Sequence, residues 1–148
     1  MDDLVEQVRA LVAGERDFVA NAANSAAAIY FGVEGVNWAG FYVLRGGELV
    51  LGPFCGRPAC VRIAVGRGVC GAAAQRMETV VVDDVHAFEG HIACDPASRS
   101  EIVIPLVAGG RLAGVLDVDS PRPARFGAAE RAALEAIADA VLAGSDPL

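Results

Sequence analysis

The 148-residue chain is 54% hydrophobic and 21% charged, which excludes a disordered segment and leaves enough apolar surface to bury a core. Its formal net charge of −7, with scattered arginines as the only permanently basic side chains, excludes a surface built for nucleic-acid phosphates or an anionic bilayer. No apolar run approaches the ~18 residues of a membrane span, and the acidic opening "MDDLVEQVRA" lacks the layout of a secretion signal, so one cytoplasmic domain over 1–148 is expected.

Residues 3–31 read as helix. Leu4, Val5, Val8, Leu11 and Val12 recur at helical spacing, Phe18, Val19, Ala22 and Ala26 resume it, and Gly14 is the candidate interruption. "GVNWAGFYVL" turns to strand character, "RGGE" is a turn, and "LVLGPFCG" returns as its hairpin partner. "ACVRIAV" is a further short strand, "GRGVCGAAAQRM" a glycine turn feeding a short helix, and "ETVVVDDV" another strand. His86 to Ser100 lacks a period and reads as a long loop, a length that usually carries function. "EIVIPLV" and "RLAGVLDVDS" form a second hairpin around "AGG", and residues 128–143 close the chain as an Ala-rich helix. Tight turns between neighbouring strands give a mostly antiparallel sheet with helices packed on it, an α+β fold.

Four cysteines punctuate this order: Cys55, Cys60, Cys70 and Cys94. In a reducing compartment they are not a structural disulfide framework, and no pair has C-x-x-C spacing. Cys55 reads as a small buried hydrophobe. His86, His91 and Cys94 share one loop, but H-x₄-H-x₂-C matches no common zinc pattern, and no metal is expected.

Strand alternation makes a second point. In "RLAGVLDVDS", Leu112, Leu116 and Val118 share one face, while Ala113, Val115, Asp117 and Asp119 share the other. Hairpin pairing can bring Glu101 beside them. Three converging acids disfavour a core and suit a cationic ligand, although a solvated strand end has the same pattern. In "NWAGFYVL", Trp38, Gly40 and Tyr42 share a face that is either core or an apolar slot.

Together "NWAGFYVL", "LVLGPFCGRPACVRIAVGRGVCG", "VVVDDVHAFEGHIACDPASRSEIVIPL" and "GVLDVDSP" resemble the free methionine-(R)-sulfoxide reductases, built on a GAF domain. The resemblance runs from about Asn37 to Pro121. It implies a sheet of about six strands with N- and C-terminal helices. It also implies reduction of free methionine-(R)-sulfoxide, with Cys94 as the attacking thiol passing through a sulfenic acid, Cys60 as the resolving thiol that closes a disulfide, and Cys70 as a second or backup resolving thiol. Glu101, Asp117 and Asp119 match the acidic pocket, with Asp119 or Glu101 as proton donor to the sulfoxide. Trp38 matches the aromatic wall, with Tyr42 beside it. No cofactor is implied beyond an external dithiol, generally thioredoxin, and a homodimer is left open. The rival readings are a GAF module sensing a small molecule without catalysis, and a thiol redox switch without turnover.

Overall fold

The computed structural model describes residues 1–92 and 94–148; Ala93, inside the expected loop, lies outside the described residues. The expected helix over 3–31 is divided into α1 (Asp2–Val12) and α2 (Phe18–Gly32). Gly14 turns the chain at φ +80, a left-handed conformation that glycine adopts without a Cβ penalty. Asp17 then caps α2 by accepting a hydrogen bond from Ala20 N at 3.2 Å.

Strands β1 (Trp38–Arg45) and β2 (Glu48–Gly56) form the first hairpin through Gly46 and Gly47, both at positive φ as a tight two-residue turn needs. Strand β3 covers only Arg62–Ala64, shorter than expected, because its register with β2 reaches no further than Glu48 to Val50. Val61 O still accepts from Leu51 N at 2.9 Å, and residues 57–60 before it lie outside the ladder and carry Cys60. Helix α3 (Gly68–Arg76) follows, and β4 (Val80–Val82) is likewise shorter than expected. The expected loop opens with a short 3-10 turn, Val85–Ala87, before β5 (Ser100–Ala108) and β6 (Arg111–Ser120) form the second hairpin. Helix α4 (Ala128–Ala143) has its expected bounds. The six-stranded sheet runs β3-β2-β1-β6-β5-β4, antiparallel at every pairing.

Period-2 alternation sorts the side chains of the central strands into two layers. On one face Phe41, Ile102, Ile104, Leu116 and Val118 pack against Leu134, Ile137 and Val141 of α4 and Ile29 of α2. Each such burial stabilises by ~1.5–3 kcal/mol, so this face anchors the fold. On the other, Trp38, Tyr42, Val103 and Val115 meet Val69, Cys70 and Ala73 of α3. Glu101, Asp117 and Asp119 share the parity of this second layer, which packs with α3, Val85 of the 3-10 turn, Phe88 and Ile92.

One expectation about β6 is corrected. Ala113 packs with the α2–α4 layer and Leu112 with the α3 layer, the reverse of strict alternation. Leu106 pairs with Gly114 and Val107 with Leu112, so Ala113 is an extra residue in β6. Such a bulge turns the following residues over. Beyond it the alternation is regular, and Asp117 and Asp119 keep the expected common face.

Candidate active site

The two hairpins place the acids side by side. Glu101 on β5 lies opposite Asp119 on β6, and Val103 opposite Asp117; across the other edge of β6, Asp119 faces Trp38 and Asp117 faces Gly40. Directly opposed residues on adjacent strands have Cβ atoms about 4.5–5.5 Å apart, so Glu101 and Asp119 cannot both ionise without strong repulsion. Burial pushes the Glu101 carboxyl well above the usual carboxylate range, and the Asp117 charge pushes it further. Asp117 is raised by burial and then by Asp119, and Asp119 by burial and then by Glu101. Asp119 keeps some exposure toward a cavity, while Glu101 and Asp117 are buried. Asp117 Oδ1 has no hydrogen-bond partner among the described residues.

That cavity is lined by the three acids, by Trp38, Tyr42 and Ile63, by Gly68, Val69 and Cys70 of α3, and by His91, Ile92, Cys94, Asp95 and Ser98. Trp38 stacks on Phe54 with ring centroids 5.3 Å apart and on Tyr42 at 6.1 Å. Gly40 permits this arrangement: a Cβ there would stand 2.4 Å from Phe54 Cβ and 2.6 Å from the Trp38 ring. The aromatic face expected from "NWAGFYVL" is thus both packed core and cavity wall.

Cys94 lines the cavity and is joined in a disulfide to Cys60, with Cα atoms 5.6 Å apart. The side chains of β1 and the residue before it hold both arms of this bridge. The Tyr42 hydroxyl donates to Cys60 O at 2.8 Å and Trp38 Nε1 donates to Arg57 O at 3.0 Å. Asn37 Nδ2 donates to Ser98 Oγ at 3.3 Å and to Asp95 Oδ2 at 3.4 Å, while Asp95 Oδ1 accepts from Ala97 N at 2.9 Å. Tyr42, read from the sequence as a substrate contact, therefore commits its hydroxyl to the cysteine segment and leaves only its ring to the cavity.

Cys70 and Cys55 are free thiols. Cys70 is buried at the start of α3, its Sγ 4.0 Å from Glu101 Oε2. Burial, followed by the Asp117 and Glu101 charges, pushes its thiol well up, so it stays protonated and weakly nucleophilic. Of the two partners that the sequence left open for Cys94, the structure joins Cys60. Cys55 is half-buried rather than a core residue.

Cys70 Sγ and single oxygens of Glu101 and Asp117 lie within 4.8 Å of one another, a spacing that would suit a metal ion as well as an ammonium group. His86, His91 and Cys94 form no such group among the described residues. His91 borders the cavity, and burial followed by the nearby His86 lowers its pKa, so it is neutral at neutral pH.

Arg67 is the one arginine on the cavity wall, and it forms no ion pair among the described residues. Sequence reading passed over it and Asn37. The signal for Arg67 was its place between two glycines at a helix start; Asn37 offered only adjacency to Trp38.

A GAF domain model matches residues 2–143. The free methionine-R-sulfoxide reductase of Escherichia coli is 55% identical over 124 residues, covering 84% of this chain and 75% of that protein. A solved structure from Burkholderia vietnamiensis, provisionally described as a GAF sensor protein, is 57% identical with a TM-score of 0.94, covering 97% of this chain and 92% of that one. The free methionine-R-sulfoxide reductase of Neisseria meningitidis, solved in complex with its substrate, is 46% identical with a TM-score of 0.93 and covers 97% of this chain and 86% of that one. Fold, acidic cavity and cysteine pair thus coincide with sequence identity over most of the chain, which belongs to the GAF-domain family and, within it, to the free methionine-R-sulfoxide reductases.

Proposed function

We propose that this chain reduces free methionine-(R)-sulfoxide to methionine, using Cys94 as nucleophile and Cys60 as resolving thiol. The observation that carries the reading is the place of Cys94: one sulfur bonded to a second cysteine on the wall of a cavity lined by three acids, two of them buried. A sulfoxide sulfur becomes electrophilic when its oxygen is protonated or strongly hydrogen-bonded. Neighbouring carboxylates that cannot all ionise keep one proton available at neutral pH, and the Glu101–Asp119 pair is the donor. The Cys94 thiol attacks sulfur and takes the oxygen, leaving Cys94 as a sulfenic acid and the substrate as methionine. Cys60 then attacks the sulfenic sulfur, and water leaves as the disulfide forms. A dithiol donor of the thioredoxin type, in a reducing cytoplasm, returns both thiols.

Asp117, with an unsatisfied oxygen, holds the substrate ammonium, and Arg67 faces its carboxylate. Trp38 packs against the methyl on sulfur. A peptide-bound methionine brings a neutral amide in place of the ammonium and leaves the buried carboxylates uncompensated, at a cost of roughly 1–3 kcal/mol or more.

The test is turnover of the separated epimers of free methionine sulfoxide with dithiothreitol, for wild type and Cys94→Ser, with the N-acetylated R epimer as control. Methionine is expected from the free R epimer alone, with Cys94→Ser inactive and the N-acetylated substrate at least about tenfold poorer in kcat/KM. Retained activity in Cys94→Ser, or equal use of free and blocked substrate, would falsify the proposal.

A further inference from the structure

Two spaces border Cys94, and they admit very different visitors. The inner cavity measures about 40 Å³, room for about three waters at ~10–15 Å³ each. On the outer side lies a cleft of about 730 Å³, also bordered by Cys94. Among the described residues, Cys60 borders neither space. The cleft has a largely apolar wall made by Tyr30, Pro58, Pro96, Ala97 and Pro121, with the last four exposed. Proline walls have little conformational freedom to lose when something settles on them. A small thiol gains nothing from so wide an apolar collar; a protein segment that carries a cysteine does.

The geometry points to this cleft as the docking surface for a protein dithiol, whose thiolate attacks Cys94 and not Cys60. This rests on the proposal that the Cys60–Cys94 disulfide is the oxidised product of turnover. The donor sulfur bonds to Cys94 Sγ as the Cys60–Cys94 bond breaks, and the electron pair leaves on Cys60 Sγ, which takes up a proton. The donor's second thiol, deprotonated, then attacks the donor sulfur of the mixed disulfide. Cys94 leaves as a thiolate, the donor holds the disulfide, and two electrons have passed to the chain.

The experiment uses the full oxidised chain and a thioredoxin whose second active-site cysteine is serine, which stops the exchange at the mixed disulfide. Peptide mass mapping is expected to find the donor linked to Cys94; linkage to Cys60 overturns the assignment. A second measurement uses Ala97→Glu, on the exposed rim and away from the inner cavity. It is expected to raise the KM for wild-type thioredoxin about tenfold while dithiothreitol-driven turnover is unchanged, because a carboxylate must be desolvated against an apolar partner. An unchanged thioredoxin KM overturns the docking surface. Absence of wild-type turnover with dithiothreitol would instead strike the proposed activity, so the two failures are distinguishable.

Discussion

Replacing Asp117 by asparagine is expected to stabilise the folded chain at neutral pH while weakening its hold on the substrate ammonium. Asp117 is 6% exposed, and one of its oxygens lies within 4.8 Å of a Glu101 oxygen. Two ionised carboxylates at that separation repel by about 3–4 kcal/mol at an effective dielectric near 20. Keeping one protonated at pH 7 instead costs roughly 4 kcal/mol from an unfolded-state pKa of ~3.9. Ionising both also desolvates a second buried charge, so the chain keeps a proton, and removing the Asp117 charge returns about 2–3 kcal/mol once the burial of the new amide is allowed for.

The sign with pH follows from the direction of the shifts. Burial and neighbouring acids raise these carboxyls in the folded state, so the folded chain holds protons that the unfolded chain has released. The penalty is absent below the unfolded carboxylate range and grows as pH rises toward the raised folded values. Paired thermal melts from pH 4 to pH 8 read the difference: Tm of Asp117→Asn and wild type nearly coincide at pH 4, and the variant leads by roughly 5–10 °C at pH 8. With the chain held reduced, saturating free methionine narrows the gap, since its ammonium stabilises wild type more than the variant. A variant no more stable than wild type at pH 8, or a lead that fails to widen with pH, refutes the electrostatic reasoning.

Two further outcomes test the architecture around the site. Tyr42→Phe removes the 2.8 Å hydrogen bond to Cys60 O, so rapid-quench thiol labelling should find disulfide closure slowed about tenfold while the first methionine is released at the wild-type rate. Gly40→Ala forces a Cβ against Phe54 Cβ, which sits next to the backbone and cannot swing away, and is expected to lower stability by about 1–3 kcal/mol in urea titration. Emission of Trp38, the chain's single tryptophan, should shift with it.

What was legible in the sequence was whatever a local pattern dictates. The glycine pairs at 46–47 and 109–110 marked both hairpins because only tight turns of positive φ need them, and α4 announced itself by period. Asp117, Asp119 and Glu101 could be gathered from period 2 and hairpin register, without knowledge of anything distant. The bulge at Ala113 was not legible, because an extra residue is defined only by the partner strand that skips it. Spacing alone did not choose between Cys60 and Cys70; that choice emerged with the Tyr42 and Asn37 tethers, which join segments far apart in the chain. The division of the N-terminal helix hinged on Asp17, whose capping role is plain only once the chain has turned at Gly14.

The narrowness of the inner cavity beside the disulfide has a kinetic meaning. With space for about three waters, the disulfide form is expected to bind sulfoxide less tightly than the dithiol form, which titration of each form would read. On the proposed cycle, sulfoxide and reductant would then visit in alternation, each meeting a form of the protein that the other has just left, and a flood of sulfoxide would not obstruct its regeneration.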